Sequence, residues 1–196
     1  MTLLADIEAA LVVPVIRRDT ASLARAAAER MIAAGLPVVE LTATTRDWPD
    51  ALRGLRADAP GTAVGLGTVT DAATAAAALE RGADFLVSPW PSPAVREVAL
   101  VAGAPFLEGG FTPGELAAAS AHGIAKLFPA HAVGAAYLRS VLAVLPGARI
   151  MPTGGLEVAD VRDWLRAGAT AVGLGSVLER DGALEQLADV LAEVAA

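Results

Sequence analysis

Lys126 is the only lysine of the chain and lies in the apolar run Ile124-Ala125-Lys126-Leu127-Phe128-Pro129, while the other fourteen of the fifteen basic residues are arginine. Solvated positive charge is thus carried by guanidinium groups, and the one primary amine stands where water is scarce. An amine differs from a guanidinium because, once desolvated, it can lose its proton and attack a carbonyl as a neutral nucleophile. Glu40 is the matching anomaly, a carboxylate within Pro37-Val38-Val39-Glu40-Leu41. Brought together in a closed site, the two groups can form a covalent bond to a ketone and move the protons that this requires. Two competing readings are a lysine that snorkels from a strand end to water and an ion pair that only neutralises itself. Buried pairs are often no better for stability than apolar replacements, so stability alone explains them poorly. Lys126 and Glu40 are the catalytic candidates.

Positioning them requires regular elements, and the chain supplies eight apolar, strand-like runs: 11–17, 37–43, 63–69, 85–89, 105–110, 124–130, 149–155 and 171–176. They recur roughly every 20–25 residues, the length of one βα unit with short loops. Between them lie Ala-, Leu-, Arg- and Glu-rich stretches of helical composition. The spacing predicts helices over 21–34, 71–81 and 158–167, the first ending before Gly35, the second before Gly82 and the third before Gly168. Strands that alternate with helices pair in parallel, and eight such units in 196 residues predict a (β/α)8 TIM barrel in preference to a doubly wound sheet. An extra N-terminal helix over 3–10 is expected to close the bottom. No linker or charge block divides the chain, so residues 1–196 read as one catalytic domain.

Active sites of such barrels lie at the C-terminal ends of the strands. The polar residues there are Arg17, Glu40, Thr68, Ser88, Lys126 and Thr153. Alternation puts Lys126 with Phe128 on one face and Val38, Glu40 and Thr42 on another, so Glu40 and Lys126 meet if those faces point inward. Two glycine turns follow the seventh and eighth runs, Pro152-Thr153-Gly154-Gly155 and Gly173-Leu174-Gly175-Ser176, where exposed backbone N–H groups commonly hold phosphate. Gly65-Leu66-Gly67-Thr68 lacks the third glycine of a dinucleotide fingerprint, and its glycines are expected to leave room for a ligand beside Thr68. His131 is placed at the mouth, and Trp90, after Ser88-Pro89, is placed as a pocket wall. The two histidines show no metal-ligand spacing, so no metal is expected.

Composition narrows the partners. A net charge of -7 argues against nucleic acid. No uncharged apolar stretch reaches the ~20 residues of a membrane span, and residues 1–6 lack the basic start and apolar core of a signal peptide. The absence of cysteine removes thiol chemistry and fits a reducing, cytoplasmic setting.

These residues resemble one family, the class I 2-keto-3-deoxy-6-phosphogluconate (KDPG) aldolases, also known as 4-hydroxy-2-oxoglutarate (KHG) aldolases. The resemblance runs from Val13-Pro14-Val15-Ile16-Arg17 through Val39-Glu40-Leu41-Thr42, Gly65-Leu66-Gly67-Thr68-Val69, Val87-Ser88-Pro89 and Lys126-Leu127-Phe128-Pro129-Ala130 to the two glycine turns. It implies a homotrimeric barrel that needs no cofactor and acts on a 2-keto acid through a Schiff base on Lys126, with Glu40 moving protons. Arg17 and Thr68 would hold the substrate carboxylate, and Phe128 would pack on the pyruvyl group. Gly154, Gly155, Gly175 and Ser176 would receive a phosphate, with Pro89 and Thr153 also lining the site. Three positions depart from the family pattern: Thr44 where some relatives carry arginine, Trp90 in place of a smaller or polar residue, and Glu108-Gly109-Gly110 where Pro-Gly is usual. Glu108 is expected near the mouth, where it would repel anionic substrate.

Rival readings are an aldolase for the galactonate epimer, a sugar-phosphate epimerase or isomerase that uses the same pair without a covalent intermediate, and a catalytically silent trimeric assembly subunit.

Overall fold

A computed structural model describes residues 3–195, so Met1, Thr2 and Ala196 lie outside the described residues. The strands are β1 (Val12–Ile16), β2 (Val38–Thr42), β3 (Ala63–Gly67), β4 (Phe85–Val87), β5 (Phe106–Leu107), β6 (Gly109–Gly110), β7 (Ile124–Leu127), β8 (Arg149–Pro152) and β9 (Val172–Leu174). The helices are α1 (Leu3–Ala10), α2 (Ala21–Ala33), α3 (Trp48–Asp58), α4 (Ala72–Glu80), α5 (Pro93–Ala102), α6 (Pro113–Ser120), α7 (Ala135–Val144), α8 (Val161–Arg166) and α9 (Ala183–Ala195). All the named pairings are parallel, in one sheet of order β5-β4-β3-β2-β1-β9 and another of order β6-β7-β8. A parallel bridge between Thr153 and Gly173 joins the two on one side. On the other side the Glu108 carbonyl, between β5 and β6, accepts the Lys126 amide at 2.8 Å. This is an α/β architecture of TIM type.

Alternation along each strand builds two apolar layers. Val39, Leu41, Leu86, Ala125, Leu127, Ile150, Val172 and Leu174 point outward into the layer shared with the helices. Val13, Val38, Phe85, Val87, Leu107, Ile124, Met151 and Ala171 point inward and pack with Ile7 of α1. The period of two therefore lifts Glu40 above Val38 and Lys126 above Ile124, on the floor formed by this inner cluster. Phe85 finds its place because Gly65 has no Cβ: one built there would collide with the Phe85 ring.

Helix starts follow side-chain chemistry. Thr20 caps α2, Asp71 accepts the Thr74 amide of α4 at 2.8 Å, and Thr112 with Glu115 forms a reciprocal capping box on α6.

The strand runs end earlier than their apolar character predicts, because the chain turns into the loops that line the mouth. After Gly67 the backbone of Thr68 is left-handed, at φ 58°. The run 105–110 is interrupted at Glu108, where the Gly109 amide donates to Ser88 Oγ instead of continuing the ladder. The helix expected over 158–167 opens as a 3-10 turn, Val158–Asp160, before α8.

Candidate active site

Lys126 and Glu40 meet inside the barrel. Nζ of Lys126 donates to Oε1 of Glu40 at 3.1 Å and lies 3.4 Å from Oε2; Glu40 is fully buried and Lys126 is 5 % exposed. Gly67 on the neighbouring strand makes this reach possible, since a Cβ there would occupy the position of the Glu40 carboxylate. The glycines of β3 thus make room for Phe85 and Glu40, and not directly for a ligand beside Thr68 as their sequence suggested. Phe128 stands one alternation beyond Lys126, its ring centroid 5.9 Å from Nζ.

Arg17, just after β1, is oriented by two hydroxyls from different loops. Its terminal nitrogens donate to Thr44 Oγ1 at 2.5 Å and Thr68 Oγ1 at 3.1 Å, and Thr44 Oγ1 is in turn 3.2 Å from Thr42 Oγ1. Thr44, at a departure from the family pattern, has become a support for the cation.

The first glycine turn follows β8. Thr153 is buried, and its side chain fills the space that a Cβ on Gly173 would take. Gly154 and Gly155 both have positive φ, 98° and 68°, and a Cβ on them would meet Phe128 and His131 respectively. Glycine is required here by both conformation and space. The Gly154 carbonyl accepts two bonds of 3.1 Å from His131, one from its backbone amide and one from Nδ1. Because a carbonyl only accepts, Nδ1 of His131 carries the proton. The second turn passes through Gly175 into a short 3-10 turn that begins at Ser176.

A cavity of about 550 Å³ is lined by eleven of the residues singled out in the sequence: Arg17, Glu40, Thr68, Pro89, Lys126, Phe128, Thr153, Gly154, Gly155, Gly175 and Ser176. Ser88, expected at the same mouth, is fully buried outside this lining, its hydroxyl donating to the Trp90 carbonyl and accepting from the Gly109 amide. Trp90 also lines it, as its place after Ser88-Pro89 suggested. Val15 is a lining residue that the sequence reading missed; its position two before Arg17 on the same strand face was the available signal. His131 instead faces a smaller cavity of about 230 Å³ with Asp160, Asp163 and Trp164, separated from the mouth by Gly155.

Glu108 does not reach the cavity. It is 2 % exposed, turned toward α5, and held by Ser92 N at 2.7 Å and by Arg96 Nε and a terminal nitrogen of Arg96 at 2.8 and 2.6 Å. The expected repulsion of anionic substrate is absent because Arg96 neutralises the carboxylate, and because the side chain, at the break between β5 and β6, turns to α5 and away from the cavity.

An amine beside a carboxylate, with a fixed guanidinium at the same mouth, suits covalent attack on a carbonyl compound that bears an acid group. Among the described residues no three His, Cys, Asp or Glu side chains form a group able to hold a metal ion, and no helix is long and apolar enough to cross a membrane.

The sequence model of the KDPG and KHG aldolases matches residues 4–193. The chain belongs to the KDPG and KHG aldolase family. Within it, the chain is 35% identical over 159 residues to the 2-dehydro-3-deoxy-phosphogluconate aldolase of Pseudomonas aeruginosa, covering 80% of this chain and 72% of that protein. It is 33% identical over 177 residues to the KHG/KDPG aldolase of Escherichia coli K12, covering 89% and 83%. The crystal structure of the KDPG aldolase of Legionella pneumophila, with pyruvate captured as a covalent carbinolamine, superposes with a TM-score of 0.82 at 25% identity, covering 99% of this chain and 98% of that one.

Proposed function

We propose that this protein is a class I aldolase that cleaves 2-dehydro-3-deoxy-6-phosphogluconate to pyruvate and glyceraldehyde 3-phosphate, and 4-hydroxy-2-oxoglutarate to pyruvate and glyoxylate. One observation carries the reading: the chain's single lysine amine lies 3.1 Å from a buried carboxylate inside a cavity that also presents a fixed guanidinium.

Lys126 attacks the C2 ketone and gives a carbinolamine, from which Glu40 helps expel water to leave an iminium ion. Glu40 then accepts the C4 hydroxyl proton as the C3–C4 bond breaks, and the bonding pair flows to the iminium nitrogen. The aldehyde departs, the remaining enamine is protonated at C3, and hydrolysis releases pyruvate and the free amine. The iminium nitrogen is itself the electron sink, so these steps call for neither a metal nor an organic cofactor.

Arg17 and Thr68 bind the substrate carboxylate, where a guanidinium fork suits two oxygens. Phe128 and Pro89 pack on the carbon chain and keep water from the amine, while Thr153 contacts the bound acid. The amides of Gly154, Gly155 and Gly175, with Ser176, receive the phosphate at the far end. We assign the chain as a single closed (β/α)8 domain over residues 1–196, with its N-terminal helix across the bottom, working as a cytoplasmic homotrimer; the family resemblance and the composition support these assignments.

Pyruvate release, coupled to lactate dehydrogenase, tests the reading across the gluconate and galactonate epimers of the six-carbon phosphate and 4-hydroxy-2-oxoglutarate. Cleavage of the gluconate compound and of 4-hydroxy-2-oxoglutarate is expected. Pyruvate from neither would reject it.

A further inference from the structure

The wall of the cavity at Pro89 and Trp90 belongs to a segment with an unusual backbone. Residues 89, 91 and 93 are all proline, so between Ser88 and α5 only Trp90 and Ser92 retain an N–H with which the backbone can be anchored. The Ser92 N–H is taken by Oε1 of Glu108 at 2.7 Å. Oε2 of the same carboxylate receives both Nε and a terminal nitrogen of Arg96, which rises from the first turns of α5. Next to Glu108, the Gly109 amide donates to Ser88 Oγ at 3.1 Å, and that hydroxyl donates to the Trp90 carbonyl at 2.7 Å. A Cβ on Gly109 would strike the backbone of Pro89 and Trp90, so the segment rests directly on this strand.

A carboxylate that is 2 % exposed is costly to bury, and an ion pair does little more than offset that cost. Its placement has a clearer consequence for the wall. Three charge-assisted bonds converge from the segment and from α5 on one side chain, and they join the segment that carries Trp90 to the strand beside Lys126.

We propose that Glu108 is a positioning residue: through Ser92 and Arg96 it fixes the Trp90 wall against which the aldehyde half of the substrate lies, and so sets which aldehyde the site accepts. The assignment rests on the aldolase reading above. Glu108 touches no reacting atom. Formation of the pyruvate adduct depends on Lys126, Glu40, Arg17 and Thr68, whereas the aldehyde half is bounded by Trp90 and the glycine turns.

The test is a double-mutant cycle read as a selectivity. The ratio of kcat/KM for 4-hydroxy-2-oxoglutarate to kcat/KM for the six-carbon phosphate compares a two-carbon with a three-carbon aldehyde product. A ratio is independent of how much enzyme is folded, so a merely structural loss leaves it unmoved. Glu108→Gln, and Arg96→Lys, which keeps the charge but loses the fork, should each shift the ratio by roughly 3-fold or more in the wild-type background and leave it unchanged in Trp90→Ala. The rate of borohydride trapping with pyruvate should stay at the wild-type value in both. Arg96→Lys carries the test if Glu108→Gln fails to fold. An unmoved ratio, or the same shift with and without Trp90, overturns the assignment and leaves the aldolase reading standing. A wild-type enzyme that cleaves neither substrate overturns both.

Discussion

A methyl group on Gly67 would claim the space now filled by the Glu40 carboxylate. Gly67→Ala is therefore expected to displace the proton-transfer group without touching Lys126, lowering kcat about 100-fold while the circular dichroism spectrum is retained. Glu40→Gln removes the charge itself and should lower kcat by about 10²–10⁴. The pair also bears on stability. Lys126→Met leaves a carboxylate buried without its partner, an expected loss of about 3–5 kcal/mol in urea unfolding, and adding Glu40→Leu should restore much of it. A double variant as unstable as the single would show that the cost lies elsewhere. At this scale the sequence was highly legible, because an amine and a carboxylate in apolar runs are expensive and have few explanations. Glu108 was misread for the same reason: a buried carboxylate announces itself, but its partner Arg96 is twelve positions away, on another element, and nothing in the local sequence shows which way the side chain turns.

The capping box opens α6 just after β6, and α6 leads into the strand of Lys126. Thr112→Ala should destabilise the protein by about 1 kcal/mol. Glu115 is held below its ordinary value chiefly by the backbone N–H of Thr112, then by those of Phe111 and the Thr112 hydroxyl. A carboxyl depressed in the folded state contributes stability that is present above its unfolded value and is lost as pH falls through the native one. Glu115→Gln should accordingly flatten the acid limb of the stability profile, seen as urea midpoints that fall less steeply across the carboxylate range. An acid limb as steep as wild type would contradict this. Element order was readable from the spacing of apolar runs and glycine stops. Boundaries were less so, since the backbone of Thr68 and the break at Glu108 are set by neighbours across the sheet and not by local propensity.

For the molecule as a whole, inward alternation on many strands brings residues as distant as Arg17 and Ser176 to one cavity. That convergence was legible only once the runs were read as a barrel, which placed the catalytic and substrate-binding candidates at one mouth but also drew in Ser88, Glu108 and His131, whose side chains are claimed by neighbours outside the cavity. Leu100, Val101 and Val144 remain largely exposed on the outer helices. Sedimentation equilibrium should give three times the 19.8 kDa chain mass, and a monomer at working concentration would set aside the trimer. The most direct measurement is the intact mass of the chain after incubation with saturating pyruvate and borohydride. We predict one reduced pyruvyl group per chain, mapped by peptide sequencing to Lys126 and absent from Lys126→Met. A wild-type chain of unchanged mass under those conditions would contradict Schiff-base catalysis by this protein.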